Sequence, residues 1–97
     1  MPKRYLHIGF VWGSGVAAAN KVAPIIESDE NVDDWFKYGG NCWIVYTRYD
    51  QSAWSDVLRK HIDPQKDYLM IYELTNLPSS NGSLPANMWD WFNRQRL

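Results

Sequence analysis

Residues 35–50 read WFKYGGNCWIVYTRYD, and their pattern decides the fold. Two alternating, aromatic-rich runs, residues 32–38 and 42–49, flank Gly39-Gly40-Asn41. Glycines tolerate the positive φ that a tight hairpin turn needs. In the second run Trp43, Val45 and Thr47 fall on one face and Cys42, Ile44 and Tyr46 on the other, because strand side chains alternate. Aromatic and β-branched pairs across such a hairpin contribute about 0.5–1 kcal/mol each beyond simple burial. The stretch reads as a β-hairpin held together by its own aromatics.

Working outward, residues 4–12 (RYLHIGFVW) alternate Leu6, Ile8, Phe10 and Trp12 against Tyr5, His7, Gly9 and Val11, a strand with two largely apolar faces. Gly13-Ser14-Gly15 ends it, and Ser14 stands where it would cap a helix over residues 15–28. Val16, Ala19, Ala23 and Ile26 share one stripe of that helix, and Pro24 predicts a kink or a break within it. After the hairpin, Ser52 stands as the cap of a second helix, AWSDVLRKHID, with Trp54, Val57, Leu58 and His61 on one face. Asp63-Pro64 stops it. Tyr68–Leu74 (YLMIYEL) alternates as the last strand, and residues 76–83 form a polar loop. Leu84-Pro85 then opens a short helix with Met88, Trp91 and Phe92 at i, i+3, i+4 spacing.

The order β-α-β-β-α-β-α predicts an α+β chain of ferredoxin-like type: a four-stranded antiparallel sheet with two helices on one face, plus a C-terminal helix. At 97 residues there is room for one domain. A composition 45% apolar and 22% charged marks it as globular. Six Trp, six Tyr and three Phe enlarge what so short a chain buries. No run of 18 apolar residues exists and MPKRYLHIGF lacks a signal-peptide core, so no membrane span and a cytoplasmic location are expected. Cys42 is the single cysteine, which excludes an internal disulfide and a Cys-based zinc site; its alternating surroundings predict a small buried hydrophobe. A net charge of −1 argues against an obligate nucleic-acid binder. Glu27, Asp29, Glu30, Asp33 and Asp34 cluster and read as a solvated loop rather than a metal site.

The ordered set WFKYGGNCWIVYT, SAWSDVLRKHID, DYLMIYEL and LPANMWDWF resembles a group of small bacterial and phage ferredoxin-fold proteins similar to Cas2 and VapD. The resemblance covers nearly the whole chain from Trp35 onward and is weak over residues 13–34. It implies a homodimer and a defence, toxin–antitoxin or phage–host setting. In Cas2-like nucleases an aspartate near the end of the first strand holds the metal, with its mate supplied across a dimer. Aligned on Tyr5-Leu6, that position is Phe10, and a phenyl ring cannot ligate Mg²⁺, which takes oxygen ligands. The resemblance therefore implies a nuclease scaffold without its metal ligand, and no cofactor or metal is expected.

Candidate chemistry is sparse. His7, His61 and Glu73 are the residues that would carry metal-free acid–base work on an RNA 2′-OH, in a ribonuclease or DNA nuclease reading. The plainer reading places His61 at a helix C-terminus and Glu73 in solvent or beside a cation across the sheet. Gly13-Ser14-Gly15 lacks the spacing of a phosphate loop and reads as a strand-to-helix turn. Tyr5, Tyr46, Tyr68 and Tyr72 would give a sheet face on which bases stack, but the basic aromatic consensus of RNA-recognition domains is absent. The leading expectation is a non-catalytic binding or assembly module. Its binding surface is expected to involve Tyr46, Tyr72, Trp89, Trp91 and Arg94, with a protein partner favoured over nucleic acid.

Overall fold

The alternation of residues 4–12 becomes β1 (Arg4–Val11) in the computed structural model, which describes residues 2–74, 82–83 and 86–94. It is followed by α1 (Val16–Glu27), β2 (Val32–Tyr38), β3 (Cys42–Thr47), α2 (Gln51–Leu58), a 3-10 turn (Arg59–His61), β4 (Tyr68–Leu74) and α3 (Ala86–Asn93). The strands form one four-stranded sheet in the order β2-β3-β1-β4, and every pairing is antiparallel. This is an α+β arrangement with the element order of a ferredoxin-like fold. β1 is central, with Leu6 opposite Val45 on one side and Glu73 on the other.

The pleat sorts the strand residues as their alternation requires. Leu6, Ile8 and Phe10 of β1 join Trp43 and Val45 of β3 on the face covered by Val22 and Ile26 of α1 and by Trp54 and Leu58 of α2. All nine are buried, each larger side chain stabilising the fold by about 1.5–3 kcal/mol. Thr47 is the polar member of this layer. Its hydroxyl donates to Asn31 O (2.8 Å) and accepts from the Trp54 indole N–H (3.2 Å), so its own polar group is met.

Local chemistry differs from expectation at both helix starts. Ser14 does not cap α1: its hydroxyl and amide go to Asp67, and the N-cap is Gly15, at φ 96° and without a side-chain cap. Ser52 does not cap α2 either; the Asp50 carboxylate accepts from Ala53 N–H at 2.9 Å. The first helix runs unbroken through Pro24, whose carbonyl accepts from Ser28 N–H at the helix end. Its buried stripe is Val22 and Ile26, while Val16 is exposed. His61 leaves the face of Trp54 and Leu58 because the chain tightens into the 3-10 turn, with three residues per turn instead of 3.6.

The described residues cover only half of the second face of the sheet. There α3 lays Trp91 against Phe36 and Ile44, with Tyr5, Tyr38, Leu74, Met88 and Trp89 packed around them. The Trp91 indole donates to Asp34 Oδ1 (3.1 Å), and Arg94 reaches the same carboxylate (3.4 Å). The expected Leu84-Pro85 helix start, most of the expected polar loop (residues 76–81) and the side chain of Phe92 lie outside the described residues.

Candidate functional site: the open half of the sheet

Among the described residues α3 covers the end of the sheet carrying Phe36 and Ile44, and none covers the β1–β4 side of that face. Val11, Tyr68, Met70 and Tyr72 are 57, 71, 66 and 44% exposed there. They bound an apolar cavity of about 490 Å³ whose other walls include His7, Gly9 and Cys42. Exposed large apolar side chains grouped in one place mark interaction surfaces, whereas scattered ones need no explanation.

His7 anchors the patch. Its ring stacks on Tyr72, with centroids 4.8 Å apart and planes inclined by 16°, and its Nε2 hydrogen-bonds the Tyr38 hydroxyl. Burial holds the imidazole below its ordinary pKa, so it stays neutral at physiological pH. Burial, reinforced by the Cys42 sulfur, pushes the Tyr38 phenol up to about 12, so it keeps its proton. The buried Nδ1 of His7 has no hydrogen-bond partner.

The three residues proposed for acid–base work are not brought together. His7 lies on the open face and Glu73 on the other, where it accepts from Arg4 Nη1 at 3.2 Å across the β1–β4 ladder. His61 is exposed on the 3-10 turn after α2. The Phe10 ring sits in the main core, stacked on Trp12 at 4.4 Å. Among the described residues no three His, Cys, Asp or Glu side chains converge as a metal set.

The expected binding residues separate in space. Tyr72 lies on the open patch. Tyr46 packs on Tyr5 at 4.7 Å with the Lys3 ammonium over its ring. Trp89 and Trp91 belong to α3, Trp91 turned inward and nearly buried, and Arg94 follows at that helix's end. Val11, Met70 and Tyr68 complete the patch. Their sequence signal was present, as alternating apolar residues on a strand with two apolar faces, but which half α3 would cover was not.

The two sheet edges differ. β2 carries Asp33, Asp34 and Lys37 and an irregularity in register between Val32 and Asp34. Asp33 pairs with Lys3 and with Arg48 (3.1 Å), and these bonds, Lys3 foremost, hold its carboxyl below the usual range. β4 is YLMIYEL, with one charged residue, no proline and no irregularity in its register with β1. No described strand pairs with its outer side. Charge and bulges blunt an edge against pairing; β4 has little of either.

The acidic cluster is dispersed by its partners. Glu27 accepts from the Trp43 indole, Asp29 from Asn31, Asp33 from Arg48 and Asp34 from Trp91. No described helix is long and apolar enough to cross a membrane. Comparison with protein-family models, with curated proteins and with solved structures finds no match to this chain.

Proposed function

We propose that the chain is a non-catalytic assembly module that pairs with a second copy of itself through the outer edge of β4. The observation that carries this reading is the contrast between the guarded β2 edge and the weakly charged β4 edge, with whose outer side no described strand pairs. Antiparallel pairing about a twofold axis near Ile71 places Met70 opposite Tyr72 of the partner subunit and joins two sheets into one. The main-chain groups of an edge strand supply the affinity, and the apolar alternation beside them fixes the register. A net charge of −1 leaves little repulsion between copies.

The same proposal takes a protein, rather than a nucleic acid, as the further target of the assembled module. Phosphate binding needs cations, and none lines the open patch. The resemblance to Cas2-like proteins belongs to this proposal, as does a defence or phage–host setting.

Sedimentation across a concentration series tests it. The protein is expected to dimerise, and Met70→Lys, which sets two ammonium groups diagonally across the twofold, to weaken the dimer by about tenfold or more. Asp33→Lys on the opposite edge is expected to leave the dimer intact. A monomer at all concentrations, or a dimer indifferent to Met70→Lys, overturns the reading.

A further inference from the structure

A cleft of about 430 Å³ lies between α2 and β4. Gln51, Ser55 and Arg59 stand at i, i+4 and i+8, so they form one stripe that runs along α2 into the 3-10 turn and lines the helix side of the cleft. Leu69 and Ile71 line its strand side. Ser52 and Ser55 are short, and they leave room for side chains that come from elsewhere.

The pleat decides which side chains those are. Leu69 and Ile71 pack against the main core, on the face that carries α1 and α2. Glu73, opposite Leu6 of β1, points to that same face at the far end of the strand. A strand added to the outer edge of β4 therefore sends every second side chain into the cleft.

Charge decides the register. The described arginines Arg4, Arg48 and Arg94 each pair with a carboxylate, whereas Arg59 makes no ion pair with a described residue. Glu73 Oε1 accepts from Arg4 at 3.2 Å, and no described residue donates to its Oε2. Apolar alternation alone leaves registers two residues apart alike in their facing. With the twofold axis near Ile71, Leu69 lies opposite the partner's Glu73, whose carboxylate enters at the Arg59 end of the cleft. Moving the axis to Met70 would set the partner's Glu73 against Asp67, acid against acid.

We propose that the cleft between α2 and β4 receives the β4 strand of a second copy, and that Arg59 binds the partner's Glu73 at both ends of the interface. The contact rests on the β4 pairing proposed above and adds what selects the incoming strand: a carboxylate at one position on its helix side. It also gives Arg59 the charged partner that its own chain does not supply.

The test makes Arg59→Glu and Glu73→Arg singly and follows each alone, and their equimolar mixture, by sedimentation. Each alone brings like charges together at both ends of the interface and should dimerise about tenfold or more weakly. In a mixed dimer both contacts again join opposite charges, so the mixture should return to within about threefold of the original affinity. Glu73→Arg loses its Arg4 contact in the mixture as well, so that loss does not produce the recovery. Arg59→Gln, a neutral change at an exposed position, should weaken the dimer by about threefold or more while leaving urea unfolding of the dilute protein as it was.

A mixture no tighter than its components, or an Arg59→Gln dimer as tight as the original, overturns the proposal. Met70→Lys keeps the two readings apart. A dimer that Met70→Lys weakens and the charge variants leave unchanged retains the β4 pairing and rejects the Arg59 contact. A monomer at all concentrations, or a dimer indifferent to Met70→Lys, rejects the pairing and the contact together.

Discussion

The Asp67 carboxylate, 4% exposed, collects the Ser14 amide (2.9 Å), the Ser14 hydroxyl (2.8 Å) and the Asp63 amide (2.8 Å). These bonds, the one from Asp63 N–H first, hold its carboxyl below its ordinary value of 3.8. Its folded-state pKa is depressed, so its stabilisation is present above the unfolded value and is lost as pH falls through the folded one. Asp67→Asn should therefore flatten the acid limb of a melting-temperature profile below about pH 4. His7 works in the same sense at higher pH. Burial lowers its pKa from 6.5, the unfolded chain takes the proton first, and stability falls as pH drops below that value. His7→Phe should remove this slope below about pH 6.5, measured by urea unfolding. Gly13 shows a third single-residue dependence: a Cβ there would meet Lys66 O at 1.9 Å, so Gly13→Ala should cost about 3 kcal/mol in the same assay. None of these three roles was legible in the sequence. Ser14 stands beside a helix start, and its local reading is a cap; the acceptor that claims it lies 53 residues away.

At the scale of elements, period-2 alternation carried the strands: it placed Leu6, Ile8, Phe10 and Trp12 on one face and Trp43, Val45 and Thr47 on one face, and all but the half-buried Trp12 are buried. Helix ends were less legible because several residues compete to cap. Asp50 precedes Ser52 by two positions and takes the amide first. Pro24 predicted a kink or a break, yet α1 continues through it to Glu27, with one amide donor to the preceding turn forgone. The docking of α3 centres on Trp91, with Met88 and Trp89 packed around the same cluster. Trp91 supplies the buried ring, the edge contact with Tyr5 (6.3 Å) and the indole bond to Asp34. Its apolar stripe was legible, but the face that receives it was not, since that depends on where the chain returns after β4. Trp91→Ala should lower the local opening free energy of α3 by about 2–3 kcal/mol, read from hydrogen exchange of amides in Ala86–Asn93. Exchange at the centre of β1 should stay near its original rate, because Leu6 and Ile8 face the other core.

For the molecule as a whole, the proposed pairing through β4 would be limited by the asymmetry between the two sheet edges. A sheet with one bare edge closes after a single pairing, giving a dimer; a sheet with two bare edges has no such limit and adds copies indefinitely. Under the proposed pairing that limit would come from charge on β2: Asp33 ties down Lys3 from the N-terminal segment and Arg48 from the end of β3, and Lys37 lies over the Trp43 ring at 4.9 Å. Removing the Asp33 carboxylate takes one acceptor from Lys3 and from Arg48 and leaves a β2 edge richer in apolar and aromatic side chains. Asp33→Val should therefore turn a closed dimer into an open-ended assembly, its weight-average mass rising with concentration well past that of two chains in light scattering. High salt should have the same effect in the unmodified protein but more weakly, because screening over about 3 Å at 1 M weakens the ion pairs without removing the carboxylate. A mass that stays at two chains in Asp33→Val would place the guard in the register irregularity between Val32 and Asp34, which twists that strand whatever its charge. Combining Asp33→Val with Met70→Lys separates the two edges: pairing through β2 alone would then give a dimer again, and not a filament.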